Sequence, residues 1–313
     1  MEENSYRKEV KLSVVIPTFN KSGFLPFLLE SLLQQDFPQY LMEIIIVDDG
    51  STDDTQQIIN QFSNQFEFFT CISQINKGIG AARNAGAKVA KGEFIVFLAD
   101  DYILSKNYCS VLIPVFEDLN VTAVRSYPGS VGSTSIELLE LYQIRMSIWL
   151  SLYGKKTMPP FCFGELPLPD TVKPLIDIVS WGGAAMMRRS IFEKYGYFDE
   201  SLVTGEDLEY AHRLALKANI RMHLYPSVLF YIQFRTRFSS YMKRCYEYAF
   251  DGLQVFQNYQ GFAKDKTRKN KLYRQLSVMR IILLQSGSPR RAIMMLPYFL
   301  SSRIAIIIGR LRG

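Results

Sequence analysis

The first hundred residues alternate between short apolar runs and stripes of apolar side chains at helical spacing. Residues 12–16 (LSVVI), 43–47 (EIIIV) and 94–98 (FIVFL) are mostly or wholly apolar, which indicates strands covered on both faces. Residues 68–73 predict another strand, and residues 80–90 predict a helix rich in alanine and glycine. Two amphipathic helices are predicted from the stripes Phe24, Leu25, Leu28, Leu29, Leu32 and Leu33, and Ile58, Ile59, Phe62 and Phe66. This alternation predicts an α/β fold with a mostly parallel central sheet flanked by helices.

Three acidic pairs stand where predicted strands end or where a predicted helix begins. They are Asp48 and Asp49, Asp100 and Asp101, and Glu206 and Asp207, the last pair opening a predicted helix over residues 206–218. Ligands of parallel sheets bind at the carboxyl ends of the strands, where converging acids repel each other unless a cation lies among them. Mg²⁺ or Mn²⁺, held by one or two carboxylates and by the oxygens of a substrate diphosphate, fits this pattern.

The cysteines and the N-terminus indicate a reducing compartment. Cys71, Cys109, Cys162 and Cys245 include no CxxC pair, so neither a disulfide framework nor a zinc site is expected. The opening segment MEENSYRKEVK is polar and mixed in charge, so no secretory signal is predicted. We therefore expect a cytoplasmic location.

The C-terminal segment is basic and apolar. From Lys266 onward there are eleven basic residues and no acidic one, whereas the whole chain has a net charge of +6. Residues 276–284 and 292–308 are strongly apolar, but Pro297 and Arg303 interrupt the second stretch, which falls short of the about 20 residues that a spanning helix needs. The pattern is typical of an interfacial helix on an anionic membrane surface, here the inner face of the plasma membrane, and does not favour nucleic acid. A helix packed on the rest of the chain is the alternative.

Six motifs follow one another over about residues 11–250. They are SVVIPTFN, VDDGSTDDT, NKGIGAARNAG, FLADD, WGGAAMMRR with YGYFDE, and GEDLEYAHRL. In order and spacing they resemble the family 2 glycosyltransferases of the GT-A fold, which are inverting and use nucleotide sugars. The resemblance implies a nucleotide-diphospho-sugar transferase fold. It also implies transfer of a sugar, from a UDP-sugar, to an acceptor hydroxyl in polysaccharide or glycolipid synthesis.

The resemblance implies roles for individual residues. The donor would be bound by Pro17, Thr18, Asn20, Asp49, Asn76, Lys77, Gly78, Arg83 and Asp100, with Asp49 accepting from the uracil N3–H. Asp101 would hold Mn²⁺ or Mg²⁺, and Asp207 would be the catalytic base. The acceptor would be bound by Trp181, Gly182, Gly183 and Glu206, although Trp181 suits a core position equally well.

The sequence departs from the family pattern at two points. Ala99 stands where the first acid of the usual DxD triplet is expected, which leaves Asp100 and Asp101. Many relatives carry a histidine after the strand that follows the ED helix, and here Tyr231 or Gln233 stands in its place. A protein histidine ligand for the metal is therefore not expected.

Simpler interpretations stay open beside the functional ones. Asp53 and Asp54 are expected to cap the next helix and shape a turn. For Arg83 the alternative is that it only pairs with surface acids. A nucleotidyltransferase or an inactive nucleotide-sugar-binding protein are the competing functions. The former usually has a Gly-rich basic loop after its first strand, which IPTFNKSGF is not, and the latter should have lost Asp207.

The motifs divide the chain into three parts. Residues 1–125 are expected to form the nucleotide-sugar-binding half and residues 126–235 the half that binds the acceptor and carries the base. Residues 236–313 are expected to form a helical, basic tail. The Gly- and Pro-rich stretch between residues 125 and 180, with one amphipathic segment at 136–153, is interpreted as a binding lid.

Overall fold

The computed structural model describes residues 9–131, 183–202, 205–218, 220 and 222–233. Its strands are β1 (Leu12–Thr18), β2 (Met42–Asp48), β3 (Phe68–Ser73), β4 (Phe94–Phe97), β5 (Tyr102–Leu104), β6 (Ala123–Val131), β7 (Ala185–Arg188) and β8 (Met222–Gln233). Its helices are α1 (Leu25–Leu33), α2 (Thr55–Ser63), α3 (Ile79–Val89), α4 (Tyr108–Leu112), α5 (Ser190–Tyr195) and α6 (Glu206–Ala218). Short 3₁₀ turns lie at Gln39–Leu41 and Ile113–Glu117.

Within these residues one sheet has the strand order β3-β2-β1-β4-β7-β6-β8-β5. The first four strands of that order are parallel, with Thr18 opposite Asp48 and Asp48 opposite Ser73. The carboxyl ends of β1, β2 and β3 therefore meet at one edge, as a parallel sheet built by strand–helix alternation requires. The mixed α/β fold with parallel central strands is confirmed.

The later strands run antiparallel. β7 pairs with both β4 and β6 in this sense, and β5 pairs with β8. In the last of these pairs Tyr102 lies opposite Ile232, so the residues just before β5 meet the end of β8. This pairing brings the Asp101 region beside residue 233, a neighbour more than 130 positions away that the sequence pattern does not predict.

Burial explains why the first strands form. Every residue of β1 and β2 is buried, and α1 covers them with Leu25, Leu28, Leu29 and Leu32, all fully buried. Taking these side chains out of water is the main stabilising term for this half of the chain.

Helix α3 packs closely on the sheet because one of its positions has no side chain. A Cβ placed on Gly86 would lie 2.4 Å from Cγ1 of Val15, a separation that no real pair of carbon atoms adopts. The close approach holds α3 against β1 and β2. Of the predicted donor-binding residues, Arg83 lies in this helix, and Asn76, Lys77 and Gly78 lie just before it.

No helix among the described residues is long and apolar enough to cross a membrane. The predicted basic tail, residues 132–180 of the predicted lid and its amphipathic segment at 136–153 lie outside those residues, whereas residues 125–131, predicted to belong to the lid, form part of β6.

Candidate active site

Asp49 organises the loop that follows β3. Its buried carboxylate accepts hydrogen bonds from Gln74 Nε2 (2.7 Å) and from the backbone amides of Lys77 (2.8 Å) and Gly78 (2.9 Å). Gly50 has a φ of +83°, and a Cβ there would lie 3.1 Å from the amide nitrogen of Asn76. The acid expected to recognise the base thus also holds the loop expected to flank the ribose and diphosphate. Those expected ligand contacts stay predictions.

Asn20 joins the loops that follow β1 and β2. It has a φ of +53°, and its Oδ1 accepts from the backbone amides of Thr52 (2.7 Å) and Asp53 (3.3 Å). Its own amide donates to Ser51 Oγ at 2.9 Å. Pro17 and Thr18 end β1 at the same edge of the sheet and are buried. Asn20 therefore aligns the two loops, and its expected contact with a nucleotide stays a prediction.

Asp53 shapes the turn before α2. Its carboxylate accepts from the Ser22 amide (3.1 Å) and hydroxyl (2.9 Å) and from the Thr55 amide (3.0 Å). Burial alone raises the pKa of Asp53, but the hydrogen bonds from Thr55 and Ser22 outweigh it and lower the pKa to about 2. These contacts support the expectation that Asp53 acts locally in the turn.

Asp100 forms an ion pair with Lys21. The two side chains are 8% and 13% exposed, so the pair is largely withdrawn from water. Burial raises the pKa of Asp100, with Lys21 opposing the shift and Asp101 adding to it. Lys21 lies in the loop after β1 and is not among the site residues predicted from the sequence.

Asp101 lies at the junction of β5 and β8. It is buried, and its backbone carbonyl accepts from the amide of Gln233 at 2.8 Å. Gln233 is one of the two residues at the place where relatives carry a histidine. Its Nε2 is buried and makes no hydrogen bond within the part of the chain that the structure describes.

The residues at this edge fit a hard divalent cation. Asp100 and Asp101 supply carboxylate oxygens, the ligand type that Mg²⁺ and Mn²⁺ prefer. Across the described ranges no group of three or more His, Cys, Asp and Glu side chains gathers at a metal-binding distance. The two carboxylates suit an ion that takes one or two ligands from the protein and further oxygens from a diphosphate.

The start of α6 is anchored to α3 by a buried ion pair. Arg83 contacts the carboxylate of Glu206, which is 2% exposed, and a Cβ on Gly80 would lie 3.4 Å from Cγ of Glu206. Burial raises the pKa of Glu206, with Arg83 opposing the shift. The structure thus places Arg83 against Glu206, and neither residue's expected ligand contact is tested by this arrangement.

Asp207 follows Glu206 in the first turn of α6. Its side chain is partly exposed, whereas Glu206 is enclosed. Of the two acids, Asp207 is therefore the one whose side chain an acceptor can reach from solvent.

Asn84 ties α3 to the segment before α6. Its Nδ2 donates to the Phe198 carbonyl (2.9 Å) and to Glu200 (2.8 Å), and its Oδ1 accepts from the Phe198 amide (3.0 Å). Asn84 is not among the site residues predicted from the sequence. Its position beside Arg83 in the NKGIGAARNAG motif is the feature that could have indicated it.

The WGGAAMM motif begins at the edge of the described residues. Ala184 has a φ of +54°, its amide donates to the Phe97 carbonyl (2.8 Å), and its carbonyl accepts from the Tyr108 hydroxyl (2.9 Å). A Cβ on Gly183 would lie 2.6 Å from the Tyr102 hydroxyl, so a larger residue there would have to displace the Tyr102 side chain. Trp181 and Gly182 lie outside the described residues.

The sequence profile of the family "Glycosyl transferase family 2" matches residues 13–196, more than half of the chain. The chain belongs to this family. A second profile, "Glycosyl transferase family group 2", matches residues 141–310. The resemblance carried by the six motifs is therefore confirmed.

Two curated relatives of this family 2 protein align with about a third of the chain. TarS of Staphylococcus aureus, a poly(ribitol-phosphate) beta-N-acetylglucosaminyltransferase, is 42% identical over 96 residues, which are 30% of this chain and 17% of TarS. A poly(ribitol-phosphate) beta-glucosyltransferase of Bacillus spizizenii is 43% identical over 100 residues, 31% of this chain and 16% of the relative. The chain thus aligns with less than a fifth of the length of these two relatives.

Solved structures share the fold over nearly the whole chain. S. aureus TarS 1–349 in complex with UDP-GlcNAc matches with a TM-score of 0.56 at 20% identity, covering 97% of this chain and 93% of TarS 1–349. The mannosyltransferase PcManGT of Pyrobaculum calidifontis, in complex with GDP-Man and Mn²⁺, matches with a TM-score of 0.58 at 17% identity, covering 97% and 76%. At these identities the likeness establishes the GT-A fold.

Proposed function

We propose that this family 2 protein is an inverting glycosyltransferase that moves a sugar from a UDP-sugar to an acceptor hydroxyl. The observation that carries the proposal is the contact of α3 with the start of α6 through Arg83, Gly80 and Glu206. Because α3 directly follows the loop held by Asp49, this contact joins the candidate donor loop to the candidate base helix. A transferase needs those two parts in a fixed relation, since orienting the reactants lowers the barrier.

The chemistry is a single displacement at the anomeric carbon. Asp207 accepts the proton of the acceptor hydroxyl as its oxygen attacks, and one displacement inverts the anomeric centre. Asp101, with Asp100 beside it, would hold Mn²⁺ or Mg²⁺, which supplies neutralisation of the leaving diphosphate when bound. The loop of residues 74–78, fixed by Asp49, positions the nucleotide for this attack.

The donor is proposed to be a UDP-sugar. The carboxylate of Asp49 is a hydrogen-bond acceptor at the end of β2, which suits the N3–H of uracil. The TarS complexes contain UDP and UDP-GlcNAc, whereas the archaeal relative binds GDP-Man, so related folds accept either base. The two curated relatives are named for transfer to poly(ribitol-phosphate), which supports a polymer as the acceptor, with a glycolipid as the alternative.

A panel of nucleotide sugars tests this function. We expect Mn²⁺-dependent release of UDP from at least one UDP-sugar, and tighter binding of UDP than of GDP by calorimetry, because Asp49 is proposed to accept from the N3–H of a pyrimidine and the larger guanine would have to lie differently to reach it. An excess of EDTA serves as the control for metal dependence. A clear preference for GDP would contradict the donor assignment, and release of no nucleotide diphosphate from the whole panel would contradict the transferase.

The C-terminal segment is proposed to hold the enzyme on the cytoplasmic face of the plasma membrane. Eleven basic residues from Lys266 onward attract anionic lipid by about 1 kcal/mol each near the surface, and the apolar stretches add a term that salt does not screen. We therefore expect co-sedimentation with anionic liposomes that high salt reverses only in part. Neutral liposomes are the control, and a full-length chain that stays in the supernatant with both would refute the proposal.

A further inference from the structure

Lys21 is held in a fixed position at the end of β1. Its backbone amide donates to Thr55 Oγ1 (2.9 Å), and its carbonyl accepts from the amides of Phe24 (2.9 Å) and Leu25 (3.0 Å) at the start of α1. Its Nζ lies 5.8 Å from the centre of the Phe24 ring. Three backbone contacts and one ring therefore direct this side chain back across the strand ends, towards Asp100.

The ammonium group of Lys21 contacts one of the two carboxylates that fit a metal. Its partner is Asp100, whose neighbour in the chain is Asp101, and all three side chains are largely enclosed by protein. At this depth the interaction of a fixed charge with an incoming ion is screened much less than at the surface.

Charge balance couples the binding of the metal to the binding of the nucleotide. Two carboxylates and one ammonium carry a net charge of about −1, so adding a divalent cation alone leaves an excess positive charge in an enclosed site. A nucleoside diphosphate brings enough negative charge to offset that excess. The metal and the nucleotide should therefore favour each other's binding, and such coupling is reciprocal.

We propose that Lys21 is the specificity-determining residue that makes metal binding depend on the donor, by occupying Asp100 until a diphosphate arrives. This inference rests on the proposed function. It assigns Lys21 to the donor site, where its ammonium group limits metal binding in the absence of nucleotide.

The test measures the affinity of the full-length protein for Mn²⁺ without nucleotide, by electron paramagnetic resonance of free Mn²⁺. We expect Lys21→Met to bind Mn²⁺ about tenfold or more tightly than the wild type, because the variant loses a nearby positive charge that is only weakly screened. The same variant should bind UDP more weakly in EDTA. Damaged packing would weaken the binding of both Mn²⁺ and UDP, so tighter binding of Mn²⁺ is not the result expected from it.

Charge-matched variants separate the proposal from a general loss of charge. Lys88→Met removes an exposed lysine of α3 and should leave the Mn²⁺ affinity unchanged. Lys21→Arg keeps the charge and should behave like the wild type, and Lys21→Gln replaces Lys21→Met if the latter does not fold. An unchanged or weaker Mn²⁺ affinity in the charge-removing variants overturns the inference alone. Absence of Mn²⁺-dependent UDP binding in the wild type overturns the proposed function and this inference together.

Discussion

Replacing Asp207 with asparagine is expected to lower kcat by about 10²-fold or more while the affinity for UDP stays near the wild-type value. Asparagine has nearly the same size and keeps the start of α6, but it does not take up a proton at neutral pH. The donor-side contacts of α6 run through Glu206 and Arg83, which the substitution leaves in place. Single-turnover transfer and UDP calorimetry on the same preparation separate the chemical step from binding.

The same substitution at Asp118 is the matched control. Asp118 is an exposed residue before β6 whose carboxylate accepts from the backbone amide of Asn120 at 2.9 Å, a bond that asparagine can also accept. Asp118→Asn should therefore transfer at the wild-type rate. If Asp207→Asn does so as well, the base lies elsewhere, and Glu206 would have to leave Arg83 to serve.

The parallel half of the fold could be predicted because its pattern is local. A strand buried on both faces is mostly apolar, and Leu12, Val14, Val15 and Ile16 show this pattern within five consecutive positions. The observed bounds of β3 and α6 equal the predicted ones, and the other elements predicted within the first hundred residues differ from the observed ones by a few residues at their ends. The antiparallel partners β7 and β8 could not be predicted in the same way, because nothing in a short segment specifies which distant strand it will pair with.

The candidate site illustrates the same limit at the level of side chains. The family resemblance selects Arg83 as a residue near the donor, yet its partner in the structure is Glu206, 123 positions further along the chain. Lys21 and Asp100 are 79 positions apart, and Asn84 and Phe198 are 114 apart. A motif specifies the types of residue that a reaction needs, whereas their partners follow from the packing of α3 and β4 against elements that come much later.

These pairings also change what each acid of the site is available to do. Glu206 forms a buried ion pair with Arg83, and Asp100 forms one with Lys21, so in two of the three acidic pairs one member balances a buried cation. These ion pairs predict that substitution of Glu206 or Asp100 differs in its effect from substitution of Asp207 or Asp101. Loss of Glu206 or Asp100 would leave a buried cation without its partner and should reduce stability first, since an uncompensated buried charge is strongly unfavourable.

The second large effect is expected at Asp101. Asp101→Asn should reduce Mn²⁺-dependent transfer by about 10³-fold or more, because metal stabilisation of a leaving group is worth several kcal/mol and each ~1.4 kcal/mol corresponds to a factor of ten in rate. Asparagine keeps the size of the side chain and the backbone carbonyl that accepts from Gln233. The thermal unfolding midpoint should therefore change little while the activity is lost.

Two measurements on Asp101→Asn distinguish a metal ligand from a residue that only supports the fold. Binding of UDP in the presence of Mn²⁺ should fall to the level that the wild type has in EDTA, since the nucleotide then meets the same site without its ion. Raising the Mn²⁺ concentration should recover part of the activity, because an amide oxygen is a weaker ligand than a carboxylate but still a ligand. Asp118→Asn should bind UDP in the presence of Mn²⁺ as the wild type does, and raising the Mn²⁺ concentration should not increase its activity. A variant of Asp101 that binds UDP and Mn²⁺ like the wild type, or a wild type that transfers at full rate in excess EDTA, would show that the ion is not held at this carboxylate.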